Sequence, residues 1–123
     1  MTDKMSIAIA AGGTAGHVNP ALALADELAS RGHDVRFFGE TRRLEGKLVP
    51  EAGFDFFPVE VTGFDRARPW TLITALAHLS REERRLVRTF KENPALKPDV
   101  AIGFGAYVEL PLVRAAAKLG IPV

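Results

Sequence analysis

Apolar residues recur along this chain in two alternating rhythms, and their order predicts its architecture. Short apolar or alternating runs read as five strands: Ser6–Ala10, Asp34–Phe38 closed by Gly39, Phe54–Val61, Asp99–Gly103 and Ile121–Val123. Between the first two, Ala21, Leu24, Ala25 and Leu28 repeat at helical spacing and Gly32 closes the segment. Asn19 suits the N-cap of that helix and Pro20 its first position. A shorter helix is expected over Leu44–Ala52, with Pro50 distorting or ending it. After the arginine-bearing loop Thr62–Pro69 comes a long helical region. The capping-box pattern Ser80-Arg81-Glu82-Glu83 predicts a break and restart within it, and Asn93-Pro94 ends it. The last helix has Pro111 near its start, Leu112, Ala115, Ala116 and Leu119 on one face, and Gly120 at its end.

Strand–helix alternation of this kind predicts an α/β fold, a Rossmann-like doubly wound parallel sheet with helices on both faces. Pro58 removes a ladder donor and so places the third strand at an edge, in agreement with the order 3-2-1-4-5. That order makes strands one and four neighbours at the switch point, where ligands bind beyond the carboxyl ends. Two glycine-rich loops, Gly12–His17 and Gly103–Tyr107, follow those strands and are expected to face each other across one crevice.

Composition narrows the function classes. The 123 residues make one domain, and 47% hydrophobic with 25% charged residues is ordinary for a globular chain. A net charge of +1 gives no global pull toward nucleic acid, so none is expected as a partner. Without cysteine there are no disulfides, thiolate metal sites or thiol catalysis. The segment Met1–Met5 lacks a signal peptide's basic and apolar regions, and no stretch approaches the roughly 20 apolar residues of a membrane span. A cytoplasmic protein is expected, lying on a membrane if it meets one. The strand-like end at Val123 suggests a chain that continues or is completed by a partner.

The loop Ala10–Pro20 carries the chemistry. Small residues between a strand and a helix leave backbone N–H groups open, and a helix N-terminus favours a phosphate anion there. One reading is dinucleotide binding: Ala11–Gly16 is one residue off the fingerprint, and Glu40 ends strand two as a ribose ligand does. Against it, the first glycine is replaced and Pro20 puts the expected helix start well beyond Gly16. A P-loop is a poorer match still, since no Gly-Lys-Ser/Thr follows.

The run from Gly12 to Ala25, GGTAGHVNPALALA, closely resembles the N-terminal signature of the MurG family of bacterial glycosyltransferases. The second loop from Gly103 to Val108, its lead-in Lys97-Pro98-Asp99-Val100, and the segment Leu119–Val123 match in the same order and spacing. Alanine stands at Ala15 and Ala106 where many members have glycine, a small change that keeps the backbone accessible. The resemblance implies transfer of N-acetylglucosamine from UDP-N-acetylglucosamine to the undecaprenyl-linked muramyl-pentapeptide, lipid I, giving lipid II for the cell wall. It implies a two-domain GT-B enzyme whose N-terminal, acceptor-side domain is residues 1–123, with the C-terminal donor-binding domain absent from this chain. The family's His-Glu-Gln/Ala-Asn segment is likewise absent. A naturally split enzyme is the alternative arrangement.

Under this resemblance Thr14, Ala15 and Gly16 contact the donor's diphosphate or sugar edge, while a tight turn needing only glycine geometry is the bland alternative. His17, the loop's one ionisable side chain, serves as general base on the acceptor hydroxyl, or holds the loop, or binds pyrophosphate as a cation. Acceptor contacts are assigned to Gly13, His17, Gly103, Gly105, Ala106 and Tyr107, with packing as the alternative for Tyr107. Glu109 reads only as a complement to the helix dipole, and His33 and His78 as structural. No metal-ligand constellation or Asp-x-Asp is visible, in keeping with the metal-independent inverting transferase that the resemblance implies, with no cofactor.

The uncharged stretch Trp70–Leu79 has more apolar surface than one core stripe needs. Leu72, Ala75, Leu76 and Leu79 are expected to face the core. That leaves Trp70, Ile73 and Ala77 on another side, near Arg66, Arg68, Arg81, Arg84 and Arg85. Apolar surface rimmed by arginine points to contact with the anionic inner-membrane surface, where a lipid-linked acceptor resides. Burial against the missing domain is the alternative. Rival readings of the whole are a non-catalytic Rossmann-type nucleotide-binding module and a related two-domain transferase with another acceptor.

Overall fold

A computed structural model describes residues 4–12, 15–61, 67–105 and 108–123. Its elements in chain order are β1 (Ser6–Ala10), α1 (Ala15–Ser30), β2 (Asp34–Gly39), α2 (Leu44–Glu51), β3 (Asp55–Pro58), α3 (Thr71–Glu92), β4 (Val100–Gly103) and α4 (Glu109–Leu119), with a 3-10 turn at Pro94–Leu96. The sheet is parallel throughout, in the order β3-β2-β1-β4. β3 lies at the edge and ends at Pro58, where the missing N–H costs the ladder nothing. The expected fifth strand is not formed as one. Even so, the Ala101 N–H donates to the Pro122 carbonyl at 2.9 Å, so Ile121–Val123 runs beside β4 where that strand was placed.

Alternation along β1 builds two cores. Ile7 and Ile9 pack with Val35, Phe37, Ala21, Ala25 and Val49 beneath α1 and α2. Ala8 and Ala10 face the other way, toward Phe38, Leu86, Phe90, Leu112 and Ala116 beneath α3 and α4. The two neighbouring phenylalanines of β2 thus serve opposite layers, Phe37 near Phe54 at 5.6 Å and Phe38 near Phe57 at 5.2 Å and Phe90 at 6.0 Å between ring centroids. Helices cover both faces, as the alternation predicted.

Three expectations about helices need correction. First, α1 begins at Ala15, and Pro20 lies inside it rather than opening it behind an Asn19 cap. A proline inside a helix removes the hydrogen bond to residue i−4 and crowds that carbonyl. Here residue i−4 is Gly16, an exposed glycine in the first turn, so the loss falls where helix bonding is weakest. Second, α3 runs unbroken through Ser80. Glu82 and Glu83 are not capping groups. Both are buried, Glu82 accepting the Glu60 N–H and pairing with Arg85, Glu83 pairing with Arg114 of α4 at 3.3 Å. Third, Leu72 and Leu76 do not face the core. They are 41% and 52% exposed, and α3 joins the core only from Leu86 and Phe90 onward in its second half.

Candidate functional site

The register of the sheet positions the site. Ala10 of β1 stands opposite Gly103 of β4, and the Phe104 N–H donates to the Ala10 carbonyl at 3.0 Å. The loops that follow the two strands therefore leave the sheet at one level and side by side. They meet at His17 and Gly105. A methyl carbon built on Gly105 would lie 3.5 Å from His17 Nε2, so the imidazole occupies the space beside that glycine. Gly105 has φ +88°, a backbone conformation that L side chains rarely adopt.

His17 is the third residue of α1 and is half-buried, and Val18 after it is buried. Ala15 and Gly16 precede it and are exposed. The first turn of α1 has no acidic residue, and its leading N–H groups have no partner within the helix, an arrangement that attracts an anion. Gly13, Thr14, Ala106 and Tyr107 lie outside the described residues, as does Arg66. The structure thus brings together His17, Gly103 and Gly105, with Ala15 and Gly16 on the same helix start.

Two carboxylates stand behind the loops: Glu45, which the sequence did not mark, and Glu109, which it marked only as a dipole partner. Glu45, in the first turn of α2, is 1% exposed, and its Oε2 accepts the Glu40 N–H at 3.0 Å. It fits there because Gly12 and Gly39 have no side chains. A methyl carbon on Gly12 would lie 2.2 Å from Glu45 Oε2, and one on Gly39 would lie 2.6 Å from Glu45 Cγ. Glu109 opens α4 and reaches back to accept the Gly105 N–H at 2.7 Å. A glycine ending a strand, followed within about six residues by a glutamate opening the next helix, was the signal available for both.

Glu40 does not stand free as a ribose ligand. Its Oε1 accepts the Val61 N–H at 3.3 Å and its Oε2 pairs with Arg43 at 3.2 Å, so the carboxylate holds the exit of β3 to the start of α2. This weakens the dinucleotide reading on firmer ground than Pro20 did. With α1 starting at Ala15, Gly16 does lie at a helix opening, and the argument from loop length fails. Beside Glu40 a cleft of about 240 Å³ opens between Arg42, Pro58, Val61 and His78. His33, by contrast, accepts the Met5 N–H on Nδ1 at 3.1 Å, a structural role as expected.

The start of α3 presents the second surface. Trp70 is 64% and Ile73 73% exposed, and with exposed Arg68, Leu72, Leu76 and Ala77 they form an uncovered apolar face. Along the same stripe the helix continues as Arg81, Arg84, Arg88 and Lys91, all exposed. No helix among the described residues is long and apolar enough to cross a membrane.

The fold is thus a parallel α/β sheet with a glycine-walled crevice beyond the carboxyl ends of β1 and β4, at the switch point of the strand order. Residues 7–123 match the glycosyltransferase family 28 N-terminal domain, and the chain belongs to that family. Among similar proteins is the UDP-N-acetylglucosamine--N-acetylmuramyl-(pentapeptide) pyrophosphoryl-undecaprenol N-acetylglucosamine transferase of Halothermothrix orenii. It is 40% identical over 121 residues, covering 96% of this chain and 31% of that protein. The transferase of the same name from Pseudomonas entomophila is 40% identical over 129 residues, covering 98% and 33%. Among solved structures, Acinetobacter baumannii MurG superposes with a TM-score of 0.74 at 29% identity, covering 97% of this chain and 34% of that one. The chain thus spans about a third of the length of the relatives it matches.

Proposed function

We propose that this chain is the acceptor-side domain of an inverting N-acetylglucosaminyltransferase. In this reading the donor is UDP-N-acetylglucosamine and the acceptor is the undecaprenyl-linked muramyl-pentapeptide at the cytoplasmic face of the bacterial plasma membrane. The observation that carries the proposal is the juxtaposition of His17 with Gly105 across the two strand-end loops. Membership of the family and the names of its similar relatives supply the substrate class.

The chemistry follows from the groups present. The acceptor hydroxyl oxygen attacks the anomeric carbon of the donor sugar while the bond from that carbon to the UDP oxygen breaks. His17 takes the hydroxyl proton, a task that suits an imidazole at neutral pH. The leaving UDP gathers negative charge, and the amides at the start of α1, near Thr14, Ala15 and Gly16, meet it without reorganising. Gly13, Gly103, Gly105, Ala106 and Tyr107 form the acceptor's side of the crevice. A C-terminal domain carries most of the donor contacts, and the apolar start of α3 rests on the membrane that holds the acceptor's tail.

Calorimetric titration of the chain with UDP-N-acetylglucosamine, NAD and a lipid I analogue tests the proposal. Binding of the acceptor analogue is expected, with weak or absent donor binding and no turnover until a donor-binding domain is added. Tight NAD binding would overturn it in favour of a dinucleotide module. In the complete transferase, His17→Ala should lower kcat by about 10²–10⁴-fold, the usual contribution of a general base.

A further inference from the structure

Glu109 has a task beyond its helix. Its Oε2 accepts the Gly105 N–H at 2.7 Å, and the carboxylate lies where a side chain at position 103 would stand. A methyl carbon built on Gly103 would be 2.3 Å from Glu109 Oε2 and 3.0 Å from its carboxyl carbon. The amide so held belongs to the residue whose open side abuts His17 Nε2. Gly105, at φ +88°, has the widest backbone freedom of any residue type, so an unpinned loop here has many conformations to sample. A carboxylate bonded to a backbone N–H is a charge-assisted bond, stronger than the neutral kind, and it restricts that freedom.

We propose that Glu109 is a positioning residue. It pins Gly105, and Gly105 in turn sets where the His17 imidazole sits in the crevice. Gly103 is the vacancy that admits the carboxylate. The other wall uses the same device, with Glu45 set into the vacancies of Gly12 and Gly39. Each loop is thereby held from behind by the first turn of the helix that follows the neighbouring or the same strand, which leaves its front open to a ligand. The kinetic consequence rests on the transferase reading above; the geometric consequence does not.

The test therefore has two arms. In the chain itself, the imidazole carbon and proton resonances of His17 are followed by NMR, with His33 as an internal reference tied to Met5. The His17 signals should move in Glu109→Ala and in Gly103→Ala, and stay in place in Glu109→Gln, whose amide oxygen still accepts the Gly105 N–H. In the complete transferase, Glu109→Ala should lower kcat by about 10–100-fold with both KM values nearly unchanged, the effect of a misplaced catalytic group. Glu109→Gln should restore most of the rate. Gly103→Ala expels the carboxylate and should reproduce the loss, yet add nothing on top of Glu109→Ala, because the vacancy is then empty. Unmoved His17 signals in Glu109→Ala, an equal loss in Glu109→Gln, or additive losses in the double variant would each overturn the proposal. Should Glu109→Ala fail to fold, the Gln and Gly103→Ala variants decide alone. Absence of any sugar transfer by the wild type would sink the functional reading while leaving the NMR arm to decide the brace.

Discussion

At the scale of single residues, the crevice is shaped by missing side chains. Gly12, Gly39 and Gly103 make room for two glutamates, and Gly46 makes room for backbone, since a methyl carbon there would lie 2.2 Å from the Thr41 carbonyl oxygen. A carbonyl in a turn cannot swing aside as a side chain does. Gly46→Ala should therefore destabilise the chain by about 1–3 kcal/mol, the usual range for overpacking, seen as a lower midpoint in urea at unchanged slope. The chosen comparison is Gly53→Ala, where nothing lies within 4 Å and only the φ of +88° opposes the change. Equal losses at both positions would refute the steric account. That the two glycine loops leave the sheet side by side was legible in the sequence, because the strand order follows from the alternation of elements and each loop ends one of the two neighbouring strands. Glu45 and Glu109 were not. Their roles depend on which glycine a carboxylate can enter: Gly39–Glu45 and Gly103–Glu109 share one spacing along the chain, but the entry of Glu45 beside Gly12 joins neighbouring strands and follows only from the fold. Glu109 read from sequence as a dipole partner is also a loop tether.

Among the elements, α1 and α3 separate what local patterns can say from what packing decides. Pro20 looked like a helix start because proline suits that position, yet the helix extends five residues earlier through glycine and alanine. Ser80 with Glu83 looked like a restart, but Glu82 and Glu83 are buried against partners just past β3 and on α4, and the helix runs whole. The apolar surplus in the first half of α3 was legible, whereas its direction was not: the supposed core leucines at 72 and 76 join Trp70 and Ile73 on the exposed side. That leaves a larger uncovered apolar face than expected, followed along the helix by cations. This is the face that the membrane contact proposed above assigns to an anionic lipid surface. Trp70→Glu combined with Ile73→Glu should abolish sedimentation with vesicles containing phosphatidylglycerol, and should leave the unfolding free energy within about 0.5 kcal/mol of wild type, as for other exposed positions. Binding that persists in the double variant would refute membrane contact by this face.

Over the whole molecule, the strand order was the most legible feature, since strand–helix alternation and one edge proline leave few arrangements open. The last three residues fell short of a strand but kept their place, tied to β4 by the Ala101 N–H. Because Ala10 and Gly103 are paired in one ladder, the two walls of the crevice are a single mechanical piece. Widening it means shearing β1 from β4 and breaking the bond between Phe104 and Ala10, which is a sub-global opening and not a loop fluctuation. The Phe104 amide is then a clock for the site. Its deuterium uptake should be as slow as that of the β1 amides and should accelerate with them in mild denaturant, whereas rapid, denaturant-independent uptake would show the walls moving apart on their own. A ligand held between such walls finds their spacing already fixed, and the ordering cost of binding falls on whatever closes over it from outside the sheet.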